Sequence, residues 1–189
     1  MTHDCATHSC HHLSEMTTDV TVGRRQFLKL ATLGAGVALF MSAAPRFATA
    51  SGKAKALMLS CMDYRLVDDT VTFMADQGLN NEYDHVVLAG ASLGVVSETF
   101  KAWHDTFWQH LDVAIKLHGI EEVIVIDHRD CGAYKLALGA EAVATPEKET
   151  AVHTATIANF AKQVKAKHST LGVKAYIMAL DGKTEAVAV

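Results

Sequence analysis

The chain reads as an α/β protein with a mostly parallel central sheet of about four to five strands flanked by helices. Three observations predict it. Short, unbroken apolar runs recur at Ala56-Leu57-Met58-Leu59-Ser60, Val86-Val87-Leu88 and Val123-Ile124-Val125-Ile126, as strands buried on both faces require. Between the runs lie segments with apolar residues at three- and four-residue spacing, the helical period. Strands that alternate with helices build a parallel sheet with its crossovers packed on the two faces.

Taken in order, the first run ends directly at Cys61, and a helix is expected over residues 67–76, before the Val86-Val87-Leu88 strand. Residues 95–118 read as one long helix carrying Phe100, Trp103, Phe107, Leu111 and Ala114. His118-Gly119 closes it, with a ring at the negative helix end and glycine as the stop. After the third run, residues 147–167 form the last helix, with Ile157, Phe160, Ala161 and Val164 on one side and Pro146 at its first turn. Residues 173–180 read as the final strand. Ligands in such sheets gather outside the carboxyl ends of the strands, where Cys61 and His128 both fall.

The first fifty residues differ in character. Gly23-Arg24-Arg25-Gln26-Phe27-Leu28-Lys29 resembles a twin-arginine export motif, residues 30–44 are moderately apolar, and Ala48-Thr49-Ala50 supplies an A-x-A cleavage signal. The alternative is an uncleaved membrane anchor, but this stretch, with Gly34 and Gly36 inside it, falls short of the roughly 20 residues a spanning helix needs. The expectation is an exported, periplasmic protein that uses the twin-arginine machinery and is cleaved after Ala50. Residues 51–189 then form one domain. The tract holding His3, Cys5, His8, Cys10, His11 and His12 is of a metal-binding type, yet it lies upstream of the motif and leaves with the leader. Residues 51–189 hold 13 basic and 18 acidic residues, a balance of −5 that argues against nucleic acid as a partner.

Two clusters carry the chemistry: Cys61-Met62-Asp63-Tyr64-Arg65 and His128-Arg129-Asp130-Cys131-Gly132. Two thiolates and one imidazole suit zinc, and three protein ligands leave a fourth tetrahedral position for water or substrate. Cysteine count alone favours a disulfide staple between Cys61 and Cys131 in an oxidising compartment. A staple, however, has no need of a histidine three residues before one cysteine or of Asp63 and Arg65 just after the other. An ionised Asp63 held by Arg65 is an acceptor aimed at a metal-bound hydroxyl; the plainer reading is a surface ion pair worth little. Arg129 and Asp130 lie inside the His-x-x-Cys turn, where their backbone positions the ligands, and Arg129 is also a candidate for attracting an anion. His85, His104, His110 and His153 read as core-edge or surface residues.

Cys-x-Asp-x-Arg followed by His-x-x-Cys-Gly resembles the signature of the β-class carbonic anhydrases, and Ala89-Gly90-Ala91 resembles that family's alanine-glycine turn after its second strand. The resemblance implies zinc held by Cys61, His128 and Cys131, an Asp63–Arg65 dyad, and substrate binding near Ala89, Gly90 and Gly132. It implies reversible hydration of carbon dioxide to bicarbonate and a proton through a zinc-bound hydroxide, and a homodimeric assembly. The chain departs from the family at Leu88, where an Arg-Asn element is usual near the turn, and at Asp127, where glycine usually precedes the metal histidine. The family's N-terminal arm, which clasps a partner subunit, has no evident counterpart after residue 51. The altered turn at residues 88–92 motivates carbonyl sulfide or carbon disulfide as alternative substrates. A non-catalytic zinc-binding or thiol-redox envelope protein is the alternative from another class.

Overall fold

The computed structural model of the protein describes residues 52–189. The export motif at Arg24 and Arg25, the His/Cys tract and the cleavage position lie outside the described residues. Strands β1 (Ala56–Ser60), β2 (Tyr83–Val87), β3 (Glu122–His128), β4 (Gly172–Met178) and β5 (Thr184–Val187) form one sheet in the order β2-β1-β3-β4-β5. The first four pair in parallel and β5 runs antiparallel to β4. This is the expected α/β architecture. The element that the apolar runs do not mark is β5: Thr184-Glu185-Ala186-Val187 is short and half polar, as suits an edge strand.

The helices are α1 (Val67–Asp76), α2 (Ser92–Val96), α3 (Lys101–His118), α4 (Gly132–Leu138) and α5 (Pro146–Lys167). On one face of the sheet α1 packs Phe73 and Met74 with Met58, Ile124 and Ile126. On the other, α3 and α5 pack Phe107, Leu111, Ile157, Phe160 and Val164 with Leu57, Leu59, Val123 and Val125. Alternate residues of each strand therefore serve opposite cores. Each such side chain contributes about 1.5–3 kcal/mol on burial, and this two-sided demand is why the runs are apolar without a break.

The helix expected over 95–118 is interrupted. Ser97 is extended, with φ −83° and ψ 133°, and its side chain caps a 3-10 turn, Glu98–Phe100, by accepting from the Thr99 N–H at 3.3 Å. Only then does α3 begin. Serine favours such entries because its hydroxyl competes for backbone donors. The expected stop is realised at Gly119, whose φ of 65° is left-handed and whose N–H bonds the Ile115 carbonyl. Among the described residues, no helix is long and apolar enough to cross a membrane.

Strand order positions the site. From β1 the chain passes to β2 on one side, then to β3 on the other side of β1. The crevice outside the strand ends at such a reversal is where open α/β sheets bind ligands. Cys61 follows β1 directly and His128 is the last residue of β3.

Candidate metal centre

Cys61, His128 and Cys131 place their ligand atoms within 4.8 Å of one another. The sulfurs stand 4.0 Å apart, and both cysteines are free. A disulfide needs about 2.05 Å, so the staple is not what the structure adopts. Bonds of about 2.3 Å to a tetrahedral zinc put two sulfurs about 3.8 Å apart, close to the separation seen. His128 donates its Nδ1–H to the Arg129 carbonyl at 2.9 Å, which fixes the tautomer and leaves Nε2 with a bare lone pair. That Nε2 is buried without a hydrogen-bond partner. An orphan of this kind costs about 1–3 kcal/mol unless another group takes the lone pair. The donor set fits zinc.

The electrostatics favour a cation. Cys61 is lowered to about 4, chiefly because Cys131 hydrogen-bonds its sulfur; burial opposes this, and His128 and the Gly90 N–H, 3.2 Å from Sγ, add to it. Cys131 is pushed up by the Cys61 thiolate beside it. Thus Cys61 ionises first, and a second thiolate needs a positive charge between them. Burial pushes His128 down, but the Cys61 sulfur, the Arg129 carbonyl and the Asp63 carboxylate together more than offset it and leave the ring above its ordinary value. The field that favours a proton on this ring also favours a metal ion.

Asp63 and Arg65 meet as a fork. Asp63 Oδ1 accepts from the Arg65 backbone N–H at 3.0 Å and from Nε at 2.9 Å, while Oδ2 accepts from Nη2 at 2.7 Å. Bidentate pairs of this kind fix direction as well as charge. The Arg65 guanidinium holds Asp63 down at about 2, against a smaller opposing effect of burial. Asp63 Oδ2 lies 3.8 Å from His128 Nε2, so the carboxylate borders the centre while it stays paired with Arg65. Arg65 also reaches Asp130 Oδ2 at 3.0 Å, and Asp130 in turn bonds Lys135. Asp130 therefore contributes its side chain as well as its backbone. Arg129 bonds Thr150 at 2.6 Å and Glu185 at 3.0 Å and lies 3.6 Å from Glu149. Two carboxylates neutralise it, which weakens its reading as an anion attractor.

Ala89 and Gly132 line an open pocket of about 370 Å³ that reaches Cys61 and Cys131 and is walled by Phe100, Trp103, Ala133 and Leu136. The Phe100 and Trp103 rings stack at 4.4 Å and 4°. Gly90 acts through its backbone. Its φ is +78°, and a Cβ there would meet the Ala133 Cβ at 3.1 Å, so only glycine brings this N–H to the sulfur without strain.

Two residues gain roles that spacing along the chain does not reveal. Asp127, 1% exposed, accepts hydrogen bonds from Ser92, Tyr134 and His153. His153 is a correction: it is fully buried, not at the core edge or surface. The reason is that a carboxylate in the core requires donors, and this ring is one of them. An acid closing the run Val123-Ile124-Val125-Ile126 was the available signal. His104 bonds the Ser97 carbonyl, His110 the Thr106 carbonyl and, across the sheet from β2, His85 the Ser60 hydroxyl.

Residues 51–188 match a family model described as "Putative carbonic anhydrase". An uncharacterized protein of Rickettsia conorii is 38% identical over 135 residues, covering 71% of this chain and 73% of its own. One from Rickettsia bellii is 39% identical over 135 residues, with coverage of 71% and 82%. Among solved structures, a β-carbonic anhydrase of Aspergillus fumigatus superposes with a TM-score of 0.54 at 12% identity, over 88% of this chain and 90% of that one. The Coccomyxa β-carbonic anhydrase in complex with acetazolamide gives 0.51 at 15% identity, over 90% and 86%. These two likenesses show a shared fold. With the five-stranded sheet in this form and the family match running from residue 51 to residue 188, the chain belongs to that carbonic anhydrase family.

Proposed function

We propose that the protein is a zinc enzyme that hydrates carbon dioxide to bicarbonate and a proton. The observation that carries this reading is the convergence of Cys61, His128 and Cys131 beside an Asp63 locked to Arg65. Those three residues hold the metal. Zinc bound there supplies a Lewis acid that lowers the pKa of water towards neutrality. Asp63, kept ionised by Arg65, can only accept hydrogen bonds. It therefore favours groups that carry a proton and repels anions that lack one. Arg65, itself tethered to Asp130, holds the angle of the carboxylate. The apolar walls made by Ala89, Phe100, Trp103 and Leu136 suit an uncharged, apolar gas.

Stopped-flow hydration of carbon dioxide by zinc-loaded protein tests the reading, and a rate no higher than that of Cys61→Ser overturns it. Sulfide release from carbonyl sulfide or carbon disulfide without hydration moves the substrate to those electrophiles. Intact mass under native conditions separates bound zinc from the two-hydrogen loss of a disulfide.

We also infer export. The support is the motif at Arg24 and Arg25 together with a family match that begins at residue 51, one past the Ala50 signal. N-terminal sequencing of protein from the periplasmic fraction should begin at Ser51, and Arg24→Lys with Arg25→Lys should retain the uncleaved chain inside. Self-association as a homodimer is inferred from Met62, Tyr64 and Leu136, which are 68%, 85% and 75% exposed at the pocket rim. A monomer mass by light scattering overturns it.

A further inference from the structure

Asp127 and His128 are consecutive on β3, so their side chains leave opposite faces of the sheet. His128 reaches the metal centre, while Asp127 enters the core beneath it. There the carboxylate collects four hydrogen bonds. Oδ1 accepts from the Ser92 backbone N–H at 3.0 Å; Oδ2 accepts from the Ser92 hydroxyl at 2.7 Å, the Tyr134 hydroxyl at 2.5 Å and the His153 Nδ1–H at 3.0 Å. Burial, reinforced by the Asp127 charge, keeps the Tyr134 hydroxyl protonated and so a donor. The donors come from α2, α4 and α5.

Each short branch of the network ends at the centre. Asp127 is bonded covalently to His128. Tyr134 lies three residues past Cys131, on the helix that Cys131 caps. Ser92 lies two residues past Gly90, whose N–H meets Cys61 Sγ at 3.2 Å. Between them Ala91 is held at φ 43° and ψ −104°, a conformation that a side-chain-bearing residue keeps only where its surroundings over-determine it. The double grip of Asp127 on Ser92 supplies that constraint.

The fold does not retain the cluster for packing alone. His153 Nε2 is buried with its lone pair unpartnered, and well-packed apolar residues of similar volume often fill such a site at no greater cost than a buried carboxylate and its donors. We propose that Asp127 is a positioning residue for the metal centre: through Ser92 and Tyr134 it sets the Gly90 turn and the Cys131 helix start relative to His128. This rests on the metal reading above.

The test uses zinc affinity by chelator competition and the absorption bands of the cobalt(II)-loaded protein, which report the ligand angles. Tyr134→Phe keeps the ring, which sits 3.8 Å from that of His153, and removes only the hydroxyl; Ser92→Ala removes one donor of the turn. Ile157→Val, a buried change on α5 outside the network, is the control for a merely structural loss. Both network variants should bind zinc roughly 10-fold more weakly or worse and shift the cobalt bands, while Ile157→Val lowers the melting temperature and moves neither. Network variants that match the control in affinity and bands overturn the proposal. Tyr134→Phe decides alone should Ser92→Ala not fold. Wild-type protein that takes up neither zinc nor cobalt overturns the metal reading and this inference together, whereas wild-type binding with unmoved variants overturns this inference only.

Discussion

Asp63 and Asp127 border the same centre and are satisfied in different ways. Asp63 meets a guanidinium at the rim, where its side chain is 15% exposed and that of Arg65 33%. Asp127 is met by two hydroxyls, an amide and an imidazole in the core, where it and His153 have no exposed side-chain surface. At the rim, water replaces part of whatever is lost, so the pair contributes little to stability and its charge faces the candidate metal centre. Inside, no water substitutes, and each donor left behind bears its full desolvation cost. One carboxylate is placed beside the candidate metal centre, and the other beneath the elements that present its three residues.

The contrast can be broken by deletion. Asp127→Ala strands the Ser92, Tyr134 and His153 donors and should lower stability by about 3–5 kcal/mol in denaturant unfolding; a loss under about 1 kcal/mol would mean the donors find other partners. Asp63→Asn should do the reverse. We expect stability within about 1 kcal/mol of wild type and a hydration rate roughly 10- to 100-fold lower, and equal unfolding losses for the two variants would erase the distinction.

Two smaller effects sharpen it. Gly90→Ala puts a Cβ at φ +78° and 3.1 Å from Ala133. A stability loss of about 1–2 kcal/mol from backbone strain is expected, with weaker zinc binding as the N–H leaves Cys61; an unchanged zinc affinity would show that this N–H is not needed. The smallest effect is on pH dependence. The Asp63 pKa of about 2 lies below its ordinary 3.8, so its pairing stabilises the fold above about pH 4, and that contribution is lost as pH falls through 2. Asp63→Asn should flatten the acid limb of stability slightly in that window, and a curve parallel to wild type would assign the acid sensitivity elsewhere.

Much of the fold is legible because its signals are local. Strands β1 and β3 are buried on both faces, so their runs are apolar and end where the ligands begin. The Gly119 stop and Pro146 start obey end chemistry carried by single residues. The break at Ser97 is harder to read, since Phe100, Trp103 and Phe107 keep helical spacing through it, and one hydroxyl cap decides the boundary. Strand β5 has too few apolar residues to announce itself and exists through its pairing with β4. The Cys61, His128 and Cys131 set is legible because donor type and spacing are distinctive. Tyr134 and Ser92 are not, because neither carries a motif.

By itself the sequence determined the α/β alternation, the family signature and the candidate metal-ligand set, all written in periods and residue types over a few positions. Tertiary structure alone decided that Arg65 reaches Asp130 as well as Asp63, that the sulfurs face each other unbonded, and that Asp127 gathers donors from three helices. These facts depend on which elements become neighbours across the sheet. That is settled by burial of both faces at once, and no spacing along the chain encodes it.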